Sequence, residues 1–313
     1  MGAATRVPAT RDLEGGEALE TLRSTGWRQL AHDSFVRFLA ADGFSHARSL
    51  AYQLTLTAVP ALVAAVGLVT ELEQDDFRSV FTRMLQELAP GASSETLTQA
   101  LRQGSRVAEG SAAALYFGGA AALIAATAAM GQIERGANRI YGIHVDRPVL
   151  RKYGRALVLA LTAGVLTLIA FVAFMAGPEL TDQGSASGPA DTVVAVWSVA
   201  RWPAGIVFVV VAFALIFRYS PRRDQPDASW LAAGSALSVI LWLGFTGLLA
   251  AYMSASRGFG TYGPLAGTIG MLIWAFLSSV AVFLGLAFAA QLEAVRAGVA
   301  EPSTPEAQPS VRT

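Results

Sequence analysis

Six long apolar runs divide the sequence, and polar residues separate each run from the next. The runs lie near 47–69, 111–130, 154–177, 193–217, 229–254 and 264–291. An α-helix rises about 1.5 Å per residue, so about 20 apolar residues cross the ~30 Å hydrocarbon layer of a membrane. The pattern predicts an all-α polytopic membrane protein with six transmembrane helices.

Two further helical segments lie outside these runs. Residues 27–40 alternate Leu, Phe and Val with Arg, His and Asp, which predicts a helix lying at the membrane interface. Between the first two runs, apolar residues recur at helical spacing and Pro90-Gly91 interrupts them, which predicts an external helical hairpin over 71–108. The polar ends, 1–25 and 298–313, are predicted to be disordered and cytoplasmic, so the membrane domain extends over 26–297.

Composition supports a membrane protein and narrows its chemistry. Hydrophobic residues make up 53% of the chain and charged residues only 15%, against roughly 25% charged residues in soluble domains. The formal net charge is zero, so the chain has no overall basic field for nucleic acid, and we predict no nucleic-acid partner. The chain has no cysteine, which excludes disulfides and thiolate chemistry.

The distribution of basic residues predicts the orientation. Of the 23 Lys and Arg residues, 17 lie before or at the start of run one, between runs two and three or at the start of run three, between runs four and five, or after run six. Loops rich in Lys and Arg stay in the cytoplasm during insertion. Both termini are therefore predicted to be cytoplasmic.

Three stretches resemble one known family. They are Tyr262-Gly263-Pro264-Leu265-Ala266-Gly267 with Trp274 and Gly285 downstream, Asn138-Arg139-Ile140-Tyr141-Gly142, and the first run with Tyr52 and Pro60. These stretches resemble the YihY/BrkB family of bacterial inner-membrane proteins, which were formerly mislabelled ribonuclease BN. The resemblance implies a bacterial inner-membrane location and a role in envelope integrity and transport. It departs from the family at Ala287, where an acidic residue is frequent, so that Glu293 is the nearest acid.

The first apolar run contains candidate contacts for a substrate or lipid. Pro60 removes a backbone donor, and Gln53 and Thr57 cannot be hydrated by lipid, so their polar atoms should point into the bundle. Together with Tyr52, these residues could line a cavity. Helix kinking and hydrogen bonds between helices explain the same pattern without a ligand.

The polar segment after the second run is a second candidate. Glu134 and Asn138 lie four residues apart, as do Arg135 and Arg139, and Tyr141 follows. On a helix, residues four apart lie on one face, so each pair could form an interhelical network or bind a lipid phosphate. Topological anchoring and helix packing are the alternative.

Arg201 is the charged residue within the fourth run. Its long side chain can extend to the outer interface, and a contact with an anionic substrate is the alternative. Pro60 and Pro203 occupy similar positions in the two halves of the chain, which leaves an inverted structural repeat as an open question.

No Walker A, GxSxG or HExxH motif occurs, and the three histidines lack the spacing of metal ligands. We therefore predict no catalytic residue, no bound metal and no cofactor, and we disfavour nuclease activity.

The expected partners are membrane lipids and an anionic lipid or amphipathic substrate, while the oligomeric state is left open. The leading hypothesis is transport of a lipid or amphipathic anion, and the alternative is a non-transporting scaffold of an envelope complex.

Overall fold

The computed structural model describes residues 3–9, 17–71, 113–175, 189–255 and 264–303. These residues form eight helices: α1 (Glu17–Thr25), α2 (Trp27–Ala40), α3 (Gly43–Glu71), α4 (Ala113–Ile140), α5 (Val149–Met175), α6 (Pro189–Tyr219), α7 (Ala228–Ala255) and α8 (Pro264–Arg296). The hairpin predicted over 71–108 lies outside the described residues, except for Glu71, which ends α3. The tail beyond Ser303 also lies outside them.

The described residues of the six apolar runs lie within α3 to α8, which confirms the all-α fold. Over their described residues, α4 to α8 are each long and apolar enough to cross a membrane. The 29-residue α3 is about 43 Å long, which exceeds the hydrocarbon layer. Several side chains in the apolar second half of α3 are not described, so the count of six spans stays a prediction.

The helices extend beyond the apolar runs because polar residues there find partners in the interior. Run two was predicted to end at residue 130, but α4 continues to Ile140. In the same way α8 continues through Glu293 to Arg296. The segment 27–40 is confirmed as a helix, and its position at the membrane interface stays a prediction.

Helices α3 to α8 pack in a closed ring, in chain order, with α8 returning to contact α3. We call the charged end the end of this ring where α4, α6 and α8 finish and α3, α5 and α7 begin. Helix α2 packs against α8 at this end, and α1 also contacts α8.

Glycines permit the closest contacts in the ring. A Cβ atom on Gly118 of α4 would lie 2.7 Å from the backbone nitrogen of Ala64 in α3. On α8, a Cβ atom at Gly285 would lie 2.4 Å from the carbonyl oxygen of Gly234 in α7. Small residues let helix backbones approach in this way, so α3 with α4 and α7 with α8 are the tightest pairs.

Burial is unequal along the ring. The main core cluster combines residues from the charged-end halves of the helices, including Leu50, Tyr141, Phe217 and Phe283. In α7, Trp230, Leu231, Ser235, Ser238 and Val239 are buried, whereas no residue from 240 to 255 is buried. Helix α7 is therefore deeply buried at the charged end and only partly buried over its second half.

Part of the N-terminal region that was expected to be disordered is ordered. Residues 17–25 form α1, and residues 3–9, which we call the N-terminal strap, lie across the charged end. The backbone nitrogen of Val7 donates to Tyr141 O at 3.2 Å, and that of Thr5 donates to Pro302 O at 3.1 Å. The side chain of Val7 is buried in the main core. These contacts stabilise a segment whose composition alone indicates disorder.

Candidate functional site

A buried arginine lies at the centre of the charged end. Leu30, Ser34, Arg37 and Phe38 form the buried face of α2, because residues three and four apart share one side of a helix. The side chain of Arg37 is fully buried. Its Nε donates to Gln291 Oε1 at 2.7 Å, and its Nη1 donates to the carbonyl oxygens of Thr5 at 2.8 Å and Ile140 at 3.1 Å. Arg37 therefore joins α2, α4, α8 and the N-terminal strap.

A buried acid lies beside this arginine. Glu293 is fully buried, its Oε1 accepts a hydrogen bond from the Tyr141 hydroxyl at 2.7 Å, and its Oε2 lies 3.0 Å from Arg223 Nη2. The Arg223 guanidinium also lies over the Tyr141 ring, 4.6 Å from its centroid, and donates to Pro8 O. We call Arg37, Tyr141, Arg223, Gln291 and Glu293 the buried network.

Asn138 links the end of α4 to the loops on either side of the network. It is fully buried, its Nδ2 donates to Asp146 Oδ1 at 2.9 Å, and its Oδ1 accepts from the Arg222 backbone nitrogen at 2.7 Å. Asp146 also receives a hydrogen bond from Lys152 Nζ at 2.8 Å. One buried amide thus fixes the segment after α4 and the segment after α6.

A second buried ion pair lies on the same face of α4. Glu134 Oε2 is 3.1 Å from Arg147 Nη1, and both side chains are more than nine-tenths buried. Arg147 also donates to the carbonyl oxygens of Ser220 at 2.8 Å and Pro221 at 2.6 Å. This pair connects α4 to the end of α6.

Burial shifts the pKa values of the groups at the charged end. Desolvation lowers the pKa of Arg37 to about 10, although Tyr141 and Glu293 oppose that shift. Desolvation also lowers the pKa of Arg147, and the Glu134 carboxylate opposes the shift. Burial raises the pKa of Tyr141 well above its ordinary value, and the negative charge of Glu293 adds to this increase. Tyr141 is therefore a neutral hydrogen-bond donor at physiological pH.

An open cleft of about 1020 Å³ lies next to the buried network. The N-terminal strap forms one wall, and residues 142–145 and 222–223 form the others. Gly142 adopts a left-handed conformation with φ +70°, and a Cβ atom there would lie 2.6 Å from the Cα of Arg6. Glycine is therefore required for the strap to lie this close.

The predicted site residues on α4 divide between two faces. Glu134, Asn138 and Tyr141 are buried and contact the charged groups described above. Arg135 and Arg139 are exposed, and Arg139 Nη1 lies 2.8 Å from His144 Nδ1. The spacing of four residues that the sequence displays thus separates a buried face from a solvent-facing one.

The candidates on α3 lie elsewhere along the ring. Tyr52 is 60% exposed, while Gln53, Thr57 and Pro60 are half-buried. The Thr57 hydroxyl donates to Gln53 O of its own helix at 2.7 Å. None of these residues lines the cleft at the charged end.

Arg201 lies 17 residues before Arg218, which is about 26 Å along α6 and away from the charged end. Its guanidinium lies over the ring of Trp202, 5.6 Å from the centroid. A cation over an aromatic ring is a favourable arrangement, and the snorkelling of Arg201 stays a prediction.

Residue types alone did not identify Arg37, Arg147, Arg222, Arg223 and Gln291 as site residues, and Glu293 was noted only as the nearest acid. A signal does exist in the sequence, because Gln291 and Glu293 continue the helix of an otherwise uncharged run. Polar groups at that position need a partner in the interior. The identity of the partner depends on the fold.

These helices define a multi-pass α-helical membrane protein with a charged network buried at one end. The family described as Virulence factor BrkB matches residues 34–310, and the chain belongs to this family. Among its relatives is the "Putative ribonuclease-like protein YfkH" of Bacillus subtilis (strain 168), which is 25% identical over 255 residues, covering 80% of this chain and 90% of that protein.

A second relative is the "UPF0761 membrane protein RSc1559" of Ralstonia nicotianae (strain ATCC BAA-1114 / GMI1000). It is 27% identical over 274 residues, covering 80% of this chain and 56% of that protein. The chain thus spans just over half of the Ralstonia protein. No solved structure matches the chain.

Proposed function

We propose that this protein is an inner-membrane transporter-like protein that binds and moves a lipid or another amphipathic anion. The movement of such a molecule would contribute to envelope integrity. In this proposal both termini are cytoplasmic and the protein is not an enzyme.

The unequal burial along α7 carries the proposal. One side of a helix recurs every 3.6 residues, so a helix with a filled inner side contains buried residues at about that interval. The α7 segment 240–255 covers more than four turns without a buried residue, whereas its first ten or so residues are closely packed. A helix that is deeply buried at one end and only partly buried over its other half leaves room for the rocking movement of an alternating-access carrier.

The charges of the described helices support the proposed orientation. The charged end includes Arg37, Arg135, Arg147 and Lys152, and it is the end at which the first and last described residues meet. Basic segments next to membrane spans are retained in the cytoplasm and attract anionic lipid. Both observations favour a cytoplasmic charged end.

The test is transbilayer movement of a fluorescent anionic lipid in liposomes that contain the purified protein. We expect faster movement than in protein-free liposomes and a reduced rate for Gln53→Leu, which removes a half-buried polar group of α3. Arg135→Ala removes an exposed cation of the charged end and should also reduce the rate. Movement no faster than without protein, with folded and inserted protein, would contradict lipid translocation.

The tight glycine contacts and the buried ion pairs favour one alternative, a rigid scaffold of an envelope complex. Such a scaffold would show no movement of lipid but would co-purify with fixed partner proteins in amounts that survive salt washing.

The ribonuclease-like name belongs to the Bacillus relative. Degradation of labelled RNA by the purified protein, lost on substitution of a single acid or histidine, would contradict the proposal that this chain is not an enzyme.

A further inference from the structure

The cleft at the charged end combines positive charge with an apolar lining. Its residues are Ala3, Ala4, Arg6, Val7, Pro8, Ala9, Gly142, Ile143, His144, Val145, Arg222 and Arg223. Three of these residues are arginines and one is a histidine, whereas none is an Asp or Glu. A surface with this composition is complementary to a molecule that has a negative group attached to an apolar body.

Two of the three arginine charges face the cleft without a carboxylate bound to them. The Arg222 guanidinium donates to backbone carbonyl oxygens, those of Asp146 at 2.8 Å and Val145 at 3.4 Å. The Arg6 side chain is exposed, and no ion pair of the described residues involves it. Arg223 differs, because it pairs with Glu293 inside the protein. The positive charge of the cleft therefore comes mainly from Arg6 and Arg222.

The cleft lies next to the ends of two candidate membrane spans. Residues 142–145 follow the end of α4 at Ile140, and residues 222–223 follow the end of α6 at Tyr219. Both segments begin within three residues of a candidate membrane span. The polar headgroup region adds several ångströms on each side of the ~30 Å hydrocarbon layer, so residues 222–223, which follow the candidate span of α6 by three to four residues, are within reach of lipid phosphates.

We infer that this cleft binds the phosphate headgroup of an anionic phospholipid, with Arg6 and Arg222 as the residues that contact the phosphate. The exposed side chains of the lining, those of Ala3, Pro8, Ala9 and Val145, contact the apolar part of the lipid next to the headgroup. The inference rests on the proposed function for its class of substrate, but binding at this site does not require transport.

The proposed binding site exists only while the N-terminal strap stays in its place across the charged end. The strap contributes six of the twelve lining residues, including Arg6, and it is held by the Val7 to Tyr141 and Thr5 to Pro302 hydrogen bonds. Gly142 allows the closest approach, since any larger residue would need a left-handed backbone and would collide with Arg6. Displacement of the strap would therefore remove one wall of the cleft and move the Arg6 charge away from it.

Equilibrium binding tests the site independently of transport. The natural chain has no cysteine, so a single Ala9→Cys substitution places an environment-sensitive fluorophore in the exposed wall of the cleft. The labelled protein in non-ionic detergent is titrated with dioctanoyl phosphatidylglycerol, dioctanoyl phosphatidylcholine and inorganic phosphate. We expect saturable binding of phosphatidylglycerol, weaker binding of phosphatidylcholine and no competition by inorganic phosphate at equal concentration.

Matched variants separate the roles of charge and shape. Loss of one solvent-exposed charge pair at about 4 Å corresponds to roughly a fivefold weaker affinity, which we expect for Arg6→Gln and for Arg222→Gln. Arg151→Gln, an equal charge change outside the cleft, should leave affinity unchanged. Gly142→Ala should weaken binding at least as much as Arg6→Gln, whereas Gly154→Ala, with open space around its Cβ position, should not.

Three results would overturn the inference. Equal affinity for phosphatidylcholine would show that charge does not select the ligand, and equal weakening by Arg6→Gln and Arg151→Gln would show a general surface effect. Competition by inorganic phosphate at equal concentration would identify a free-phosphate site instead. Saturable binding together with absence of lipid movement in liposomes would keep this site and reject the transport proposal, so the two failures are distinguishable.

Discussion

Neutralising the buried acid of the network should destabilise the protein far more than neutralising a partly exposed acid at the same end of the molecule. Glu293 is fully buried and lies 3.0 Å from Arg223. At an effective dielectric constant of about 20, two unit charges at this distance attract each other by about 5.5 kcal/mol. Glu293→Gln keeps the shape and an acceptor for Tyr141 but removes the charge, and it leaves Arg37 and Arg223 buried without a carboxylate. Loss of one partner of a buried pair costs about 3–5 kcal/mol, so we expect a loss within that range.

The assay is thermal unfolding in detergent of the purified wild type, of Glu293→Gln and of Glu17→Gln, which is the control. Glu17 pairs with Arg296, one turn beyond Glu293 on α8, and both side chains of that pair are about one-third exposed. An exposed pair contributes about 0–1 kcal/mol, so Glu17→Gln should change the unfolding temperature little.

A double variant completes the test. If Glu293 matters through its ion pair, Glu293→Gln combined with Arg223→Met should cost less than the sum of the two single changes. Wild-type stability in Glu293→Gln, or strictly additive losses in the double variant, would refute the reasoning that the buried pair holds the charged end closed.

Three further predictions address packing, pH and orientation. Gly285→Ala should cause loss of monodisperse protein on size-exclusion chromatography, because its Cβ would lie 1.9 Å from a serine hydroxyl of α7, whereas Gly244→Ala, with open space, should not. For Asp146, burial raises the pKa, but hydrogen bonds from its lysine and asparagine partners lower it by more, to below 3.8. Its carboxylate therefore stabilises the fold above that pH, so the difference in unfolding temperature between wild type and Asp146→Asn should be constant from pH 8 to pH 5 and should shrink only below 3.8. A cysteine introduced at exposed Glu301 should react with a membrane-impermeant maleimide only after cells are permeabilised, and reaction in intact cells would contradict cytoplasmic termini.

The apolar runs were sufficient to predict the helices, because a membrane span needs about 20 apolar residues whatever its neighbours are. The ends of the helices were less predictable. Helix α4 continues ten residues past its apolar run since Glu134 and Asn138 find partners inside the protein. A sequence shows that these residues are polar but not that the fold will neutralise them.

The site was predicted only in part, because its partners come from distant positions. The hydrogen bond from Arg37 to Gln291 joins residues 254 positions apart, and no local spacing relates them. By contrast, Asn138 and Tyr141 could be selected from one dense polar segment beside a span. The residues on α3 show the limit of such selection, since the Thr57 hydroxyl is satisfied by its own helix.

The distance between Arg37 and Gln291 along the chain also has a consequence during synthesis. Ribosomes add about 5–20 residues each second, so the partner of Arg37 emerges roughly 13–50 s after Arg37 itself. Throughout that interval the nascent chain has a cation on α2 that cannot enter the interior. Helix α2 must therefore remain in water or among lipid headgroups until α8 has been synthesised and inserted. A chain that terminates before residue 291 would keep this end unfinished, and quality-control proteases could recognise it there.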